Sequence, residues 1–85
     1  MTTKNRSQIE IISSILSLCR EKPSTVGKLQ FLAKLNGQQT SSYLNLLVKA
    51  KLLKLRKHKT KKIYTITKKG IAFLILFYEL KKLLN

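Results

Sequence analysis

The sequence contains few of the residues from which catalytic and metal sites are built. It has three acidic residues, all glutamate, together with one histidine, one cysteine and three glycines. A single cysteine rules out a disulfide framework within the chain and a four-ligand zinc site. The scattered acids and lone histidine form no acid–base pair or metal cluster, and the glycines form no phosphate-cradling motif. We therefore expect no enzymatic activity, no bound metal and no cofactor.

The sequence predicts neither a secretion signal nor a membrane span. Residues 4–8 are polar, and no small-residue cleavage site follows an apolar run. The longest apolar run, residues 71–78, is well short of the roughly 20 residues that cross a bilayer. A cytoplasmic, nucleoid-associated protein with no membrane partner is expected.

Positive charge dominates what is present. Eighteen lysines and arginines against three acids give a formal net charge of +15. Self-repulsion of this size destabilises a compact chain, and a polyanionic partner would relieve it. A surface that serves only solubility usually mixes both signs of charge. Ten of the eighteen basic residues fall at positions 49–69, where there is no acid. Nucleic acid is therefore the expected partner.

The hydrophobic pattern predicts three helices in the first part of the chain. Apolar residues recur at helical spacing over residues 7–21, 25–34 and 37–50. Pro23 cannot extend the first helix, and Ser24 can cap the second. The second and third helices are joined by a tight turn, which makes them a helix-turn-helix candidate.

From Leu53 onward the hydrophobic period falls to two, which predicts two strands flanking the basic segment 57–62. Thr67 can cap a last helix that continues to residue 84. The expected fold is mostly α-helical with a small β-hairpin. We expect a flexible N-terminus over 1–6, a DNA-binding domain over 7–67 and a C-terminal dimerisation helix over 68–85.

The third helix has one apolar and one polar face. Leu44, Leu47 and Val48 form a stripe typical of burial, and Asn36 with Gln39 forms a capping box at the helix start. The opposite face carries amides and hydroxyls, which can read base edges in a DNA groove. The alternative is an ordinary solvated helix face. The residues expected to read bases are Gln38, Gln39, Ser42 and Asn45.

Basic and polar residues around that helix are expected to contact the DNA backbone, which gives affinity without sequence information. Most of them belong to the hairpin. The expected backbone contacts are Tyr43, Lys49, Arg56, Lys57, His58, Lys59, Lys61 and Lys62.

The last helix is apolar all the way round over residues 71–78, and a domain of this size cannot cover every side of it. Coiled-coil packing against a second copy explains this better than a membrane-surface helix, which needs a clean lysine-rich face. A homodimer is therefore expected, with an interface formed by Ile11, Leu18, Ile71, Leu74, Ile75, Phe77 and Tyr78.

The chain resembles the small archaeal winged helix-turn-helix DNA-binding proteins, including those that dimerise through a C-terminal helix. Tyr64-Thr65-Ile66-Thr67-Lys68-Lys69-Gly70 is the most specific match. Other matching segments are Arg6-Ser7, Ile11-Ile12, Ile15-Leu16, Leu35-Asn36, Tyr43-Leu44 with Leu47, Leu52-Leu53 and Phe73-Leu74. The resemblance implies DNA binding, with the third helix in the major groove and the wing on the flanking backbone or minor groove.

Two positions depart from what this resemblance implies. The family pattern usually has glycine where this chain has Lys51, and a left-handed helix end would be strained for lysine. We therefore expect the connection from the third helix to the first strand of the hairpin to differ locally from the family pattern. Leu46 falls on the predicted reading face, where it can contact either a thymine methyl or a neighbouring subunit.

The leading functional hypothesis is a dimeric, sequence-specific transcription regulator that reads a pseudo-palindromic site. A chromatin-like architectural protein with little sequence preference is the alternative, because the net charge is so high. A third hypothesis is a protein-interaction or membrane-surface module that uses the last helix. RNA binding is less favoured, because the predicted strands carry no aromatic stacking platform.

Overall fold

The described part of the chain, residues 7–84 of a computed structural model, forms four α-helices and a three-stranded antiparallel sheet. The predicted flexible segment 1–6 lies outside it. In chain order the elements are α1 (Gln8–Glu21), β1 (Ser24–Thr25), α2 (Val26–Leu32), α3 (Gly37–Lys49), β2 (Leu53–His58), β3 (Lys61–Ile66) and α4 (Lys68–Leu84). This is the expected winged helix-turn-helix, with α2 and α3 as the helix pair and β2–β3 as the wing.

A capping box fixes the start of α1. The Ser7 hydroxyl accepts from the Glu10 amide at 3.2 Å, and the Glu10 carboxylate accepts from the Ser7 amide at the same distance. Capping of this kind satisfies amides that have no partner within the helix. One face of α1 is then buried through Ile15, Leu16 and Cys19.

Strand β1 was not expected from the sequence. Ser24, predicted to cap the second helix, instead pairs with Tyr64 of β3, which makes β3 the central strand of the sheet. Thr25 is the N-cap of α2, and its hydroxyl accepts from the Lys28 amide at 3.3 Å. The second helix is accordingly shorter than the predicted 25–34. A strand of two residues is too short to produce an alternating pattern.

The wing is a regular hairpin whose two strands join through the two-residue turn Lys59-Thr60. At its base, Leu53 pairs with Ile66 and lies buried. Beyond this first pair every residue of β2 is exposed. The outer part of the wing, residues 56–62, is therefore a solvated, basic ribbon.

The core is built mainly from the helices, with Leu53 and Tyr64 contributed by the sheet. On α3 the predicted stripe is confirmed, since Leu44 and Leu47 are fully buried. Burying one such side chain stabilises the fold by about 1.5–3 kcal/mol. Helix α4 also contributes to this core through Leu74, which is 1% exposed.

The segment joining β3 to α4 is tied to the end of α3. The Thr67 hydroxyl donates to the carbonyl oxygens of Lys51 and Leu52 at 2.7 and 3.1 Å, and accepts from the Gly70 amide at 3.0 Å. The Lys69 ammonium donates to the Ala50 carbonyl at 2.9 Å. Thr67 therefore caps α4, as predicted, and also satisfies carbonyls that follow α3. The most specific segment of the sequence resemblance serves this junction.

Candidate nucleic-acid interface

The predicted reading face of α3 is open to solvent. Gln38, Gln39, Ser42 and Asn45 are all exposed, whereas Thr40 on the other side of the helix is buried and donates to the Asn36 carbonyl at 2.8 Å. The buried stripe orients the helix, so the four polar side chains share one solvent-facing surface. Leu46 also lies on the exposed side and is 48% accessible.

Gln39 has a structural task that the other three do not share. Its side-chain Oε1 accepts from the backbone amide of Asn36 at 3.2 Å, and its backbone amide donates to the side-chain Oδ1 of Asn36 at 2.7 Å. This capping box holds the Gln39 side chain against the start of the helix. Bidentate pairing with adenine uses both the oxygen and the nitrogen of a side-chain amide. Gln38 and Asn45 are therefore better suited to that contact than Gln39.

The residues predicted to contact the DNA backbone lie on α3 and on the wing. Tyr43 is half-buried against the core and Lys49 is exposed in the last turn of α3. The remaining residues, Arg56, Lys57, His58, Lys59, Lys61 and Lys62, lie exposed on the wing.

Positive charges oppose one another across the wing. Lys57 pairs with Lys62 in the antiparallel register. Like charges directly opposite in a sheet are destabilising. The three glutamates lie on α1 and α4, and the salt bridge found in the described chain joins Glu79 to Lys82 within α4 at 3.8 Å. The wing charges are thus not neutralised by carboxylates, and a polyanion would offset their repulsion.

The residues expected at a dimer interface fall into two groups, those buried within the single chain and those that remain partly or fully exposed. Ile11 and Leu74 lie in the core of the single chain, at 7% and 1% exposure, so a partner does not reach them. Both residues belong to the core, and α4 packs on α1, so they are left out of the proposed interface.

Leu18, Phe77 and Tyr78 line a cleft of about 710 Å³ beside α1 and α4. The hydroxyls of Tyr78 and Ser17 are hydrogen-bonded at 2.7 Å, which fixes the two helices together. Ile71 is half-buried and Ile75 is 54% exposed.

Further along α4, exposed leucines were missed by the sequence analysis. Leu76 and Leu83 are 70% and 83% exposed, and Leu80 is 49% exposed. Their spacing of four and three residues is that of a coiled-coil seam, so the signal was present in the sequence. The contiguous apolar residues of 71–78 obscure this spacing, because they place apolar side chains on every side of the helix.

The described residues contain neither a group of metal ligands nor a reactive thiol. Between residues 7 and 84 no three His, Cys, Asp or Glu side chains are grouped to hold a metal ion. Burial raises the pKa of the Cys19 thiol to about 12, which keeps it protonated and unreactive at neutral pH. No helix within this part of the chain is long and apolar enough to cross a membrane.

Comparisons with known proteins agree with this geometry. The family model of the winged helix-turn-helix matches residues 5–85. The chain is similar to Sso10a-2, a DNA-binding protein from Sulfolobus solfataricus, with 31% identity and a TM-score of 0.84, over 92% of this chain and 81% of that one. These matches confirm the resemblance to the small archaeal proteins.

Two further structures are less similar. HlyU from Vibrio cholerae is 25% identical with a TM-score of 0.71, over 84% of this chain and 78% of that one. The homodimeric domain Mb0332 from Mycobacterium bovis, a possible ArsR-family transcriptional regulator, is 21% identical with a TM-score of 0.69, over 85% of this chain and 67% of that one. The second likeness concerns the fold alone. A comparison with curated proteins gives no match.

Proposed function

Because the chain belongs to the winged helix-turn-helix family, we propose that it is a dimeric, sequence-specific DNA-binding protein that regulates transcription. The observation that carries this proposal is the exposed, uncharged polar face of α3 beside a wing of unneutralised positive charge. DNA binding is also the stated property of Sso10a-2. The protein acts without cofactor or catalysis, in the cytoplasm, on the nucleoid.

In this proposal α3 enters the major groove. Gln38 and Asn45 pair with adenine, Ser42 contacts a neighbouring base edge, and Leu46 packs on a thymine methyl. The wing lies along the flanking backbone or minor groove, where its lysines bind phosphates and set the register of the helix. The half-buried Tyr43 and the exposed Lys49 contribute phosphate contacts beside the helix.

The proposed dimer forms through α4. Its exposed leucines and Ile75 pack against the same residues of a second copy, with the cleft beside Phe77 and Tyr78 at the edge of the contact. Such an interface is two-fold symmetric, so the two α3 helices read a pseudo-palindromic site.

Selection of bound sequences from a random duplex pool tests this function. An enriched two-fold motif, with half-sites about one helical turn apart, is expected. The double variant Gln38→Ala with Asn45→Ala should lose the motif while keeping the salt dependence of binding, because it removes no charge. The exposed amide Gln8 on α1 provides the control, and its alanine variant should select the parental motif. A pool with no enriched motif would contradict sequence-specific reading.

The charge of +15 favours one alternative, an architectural protein that coats DNA with little sequence preference. Competition at fixed salt separates the two functions. A specific regulator retains its selected site against excess random duplex, whereas an architectural protein releases it within a few-fold. Protein that binds neither duplex would contradict both.

A further inference from the structure

Three lysines adopt a backbone conformation that normally favours glycine. Lys34, Lys51 and Lys59 have φ angles of 58°, 65° and 59°, and they are the non-glycine residues with positive φ in the described chain. The glycines of the chain have no positive φ there. The left-handed region is strained for a side chain with a Cβ atom and free of that strain for glycine. The chain thus has lysine at each position where glycine would fit better.

Two of these lysines occupy the same place in the same motif. After α2, the Lys34 amide donates to the Phe31 carbonyl at 3.3 Å and the Leu35 amide to the Gln30 carbonyl at 3.0 Å. After α3, the corresponding bonds run from Lys51 and Leu52 at 3.0 and 2.9 Å. Both sets are Schellman motifs, whose left-handed residue is usually glycine. The expected local change of connection at Lys51 is therefore wrong, because lysine itself adopts the left-handed conformation.

The third lysine begins the two-residue turn of the wing, between His58 and Lys61. Tight hairpin turns with positive φ favour glycine or asparagine. An attraction to a helix C-terminus could account for Lys34 and Lys51. It does not account for Lys59, which follows a strand, and the last turn of α3 already contains Lys49 in helical conformation. Attraction to a helix C-terminus therefore does not explain all three lysines.

The three positions lie around the proposed reading helix. Lys34 precedes α3 by three residues, Lys51 follows it by two, and Lys59 is at the wing tip; all three are exposed. A helix of thirteen residues is about 20 Å long. The major groove is about 12 Å wide. A helix that crosses the groove is therefore long enough to bring its two ends close to the two phosphate backbones.

Resting on the proposed function, we infer that Lys34, Lys51 and Lys59 bind DNA phosphates at the two ends of α3 and at the wing tip, and occupy glycine-favouring positions for that purpose. Backbone strain that persists at a binding surface is accounted for when the strained residue makes the contact. The sequence analysis did not place Lys34 and Lys51 in the DNA interface. It did place Lys59 there, and the positive φ of Lys59 gives a structural reason for that contact.

Replacing any of these lysines by glycine should increase the stability of the protein and decrease its affinity for DNA. Each of Lys34→Gly, Lys51→Gly and Lys59→Gly should raise the Tm by about 4 °C, because the strain is removed. Each should also weaken binding to a mixed-sequence duplex several-fold and reduce the slope of log K against log salt by about 0.9. Lys→Arg at the same positions keeps both the charge and the strain, so Tm and binding should stay near the parental values.

Lys82→Gln on α4 is the charge-matched control, since Lys82 is exposed and distant in sequence from α3. It should leave the salt slope unchanged. Glycine variants that are more stable but bind with the parental slope would overturn the inference, as would glycine variants that are less stable than the parent. Failure of the parent protein to bind duplex would instead overturn the proposed function, and this inference with it.

Discussion

At the scale of single residues, Gly70 shows how closely α4 approaches the end of α3. A Cβ atom at this position would lie 2.4 Å from the Leu52 carbonyl oxygen and 2.6 Å from Ile66 Cγ1. The same carbonyl accepts from the Thr67 amide and hydroxyl, so it is held in place. Any side chain at position 70 therefore has to displace backbone that is already hydrogen-bonded.

Gly70→Ala should lower the free energy of unfolding by about 3 kcal/mol, at the upper end of the usual cost of overpacking. Gly27→Ala is the matched control, because nothing lies within 4 Å of a Cβ atom there and the residue is in α2. It should raise stability by about 0.5–1 kcal/mol. Urea denaturation of the two variants measures both effects. Equal stabilities would contradict the close approach of α4.

Cys19 gives a prediction about pH. Its thiol has a pKa of about 12 in the folded chain, raised from 9.0 by burial, and burial also raises the pKa of Tyr64. Both groups favour the protonated form in the folded state. The contribution of Cys19 is present below pH 9 and is lost as pH rises toward 12, and that of Tyr64 begins to be lost above pH 10, so stability should fall as pH rises above 9.

Alkylation of Cys19 near neutral pH provides an independent measurement of the same burial. The folded protein should react with iodoacetamide far more slowly than protein in denaturant, because the thiol is 3% exposed and protonated. Equal rates in the two conditions would show that the core around α1 is open.

At the scale of elements, the charge of the wing lowers its own stability, because Lys57 and Lys62 lie directly opposite each other. Lys57→Glu places a carboxylate opposite Lys62, and an opposite-charge pair across two strands contributes about 0.2–1 kcal/mol. The variant should therefore be slightly more stable than the parent and should bind duplex more weakly, with a salt slope reduced by more than that of Lys57→Gln. Thermal denaturation and binding titrations at several salt concentrations test the pair. Unchanged duplex binding by Lys57→Glu would remove the wing from the proposed interface.

The sequence predicted those elements whose local and tertiary preferences agree. Helix α3 was predicted with its cap because Asn36 and Gln39 mark its start and Leu44 and Leu47 give the buried stripe. Strand β1 was not predicted, since two residues held by pairing with β3 leave no pattern.

Side-chain burial on α4 was harder to predict than the helix itself. Periodicity identifies an apolar helix, but it does not say which of its sides α1 covers. Leu74 proved to be a core residue, while Leu76 is open. The exposed polar face of α3 was predicted because burial of the opposite side determines it, whereas the capping role of Gln39 reduces its value for base reading.

At the scale of the whole molecule, α4 connects the domain core to the proposed dimer. Its first half contributes Gly70 and Leu74 to the core, and its second half carries leucines that are exposed in the single chain. A substitution at either of these two buried positions would destabilise the domain itself and say nothing about assembly. A substitution of Leu76 or Leu83, in contrast, changes the exposed surface.

The double variant Leu76→Glu with Leu83→Glu should therefore be monomeric and folded. Both side chains are at least 70% exposed, so the charges cost little in the monomer, whereas an apolar two-fold interface would bring them against a second copy.

Sedimentation should give the monomer mass for the variant and the dimer mass for the parent. The parental Tm should also rise with protein concentration, and that of the variant should not. Leu55→Glu, on the exposed part of the wing, is the control and should keep the parental mass. Because two linked reading helices bind one site together, the monomeric variant should lose most of its affinity for a two-fold site and little for a half-site. A dimer mass for the double variant would place the contact between copies elsewhere on the molecule.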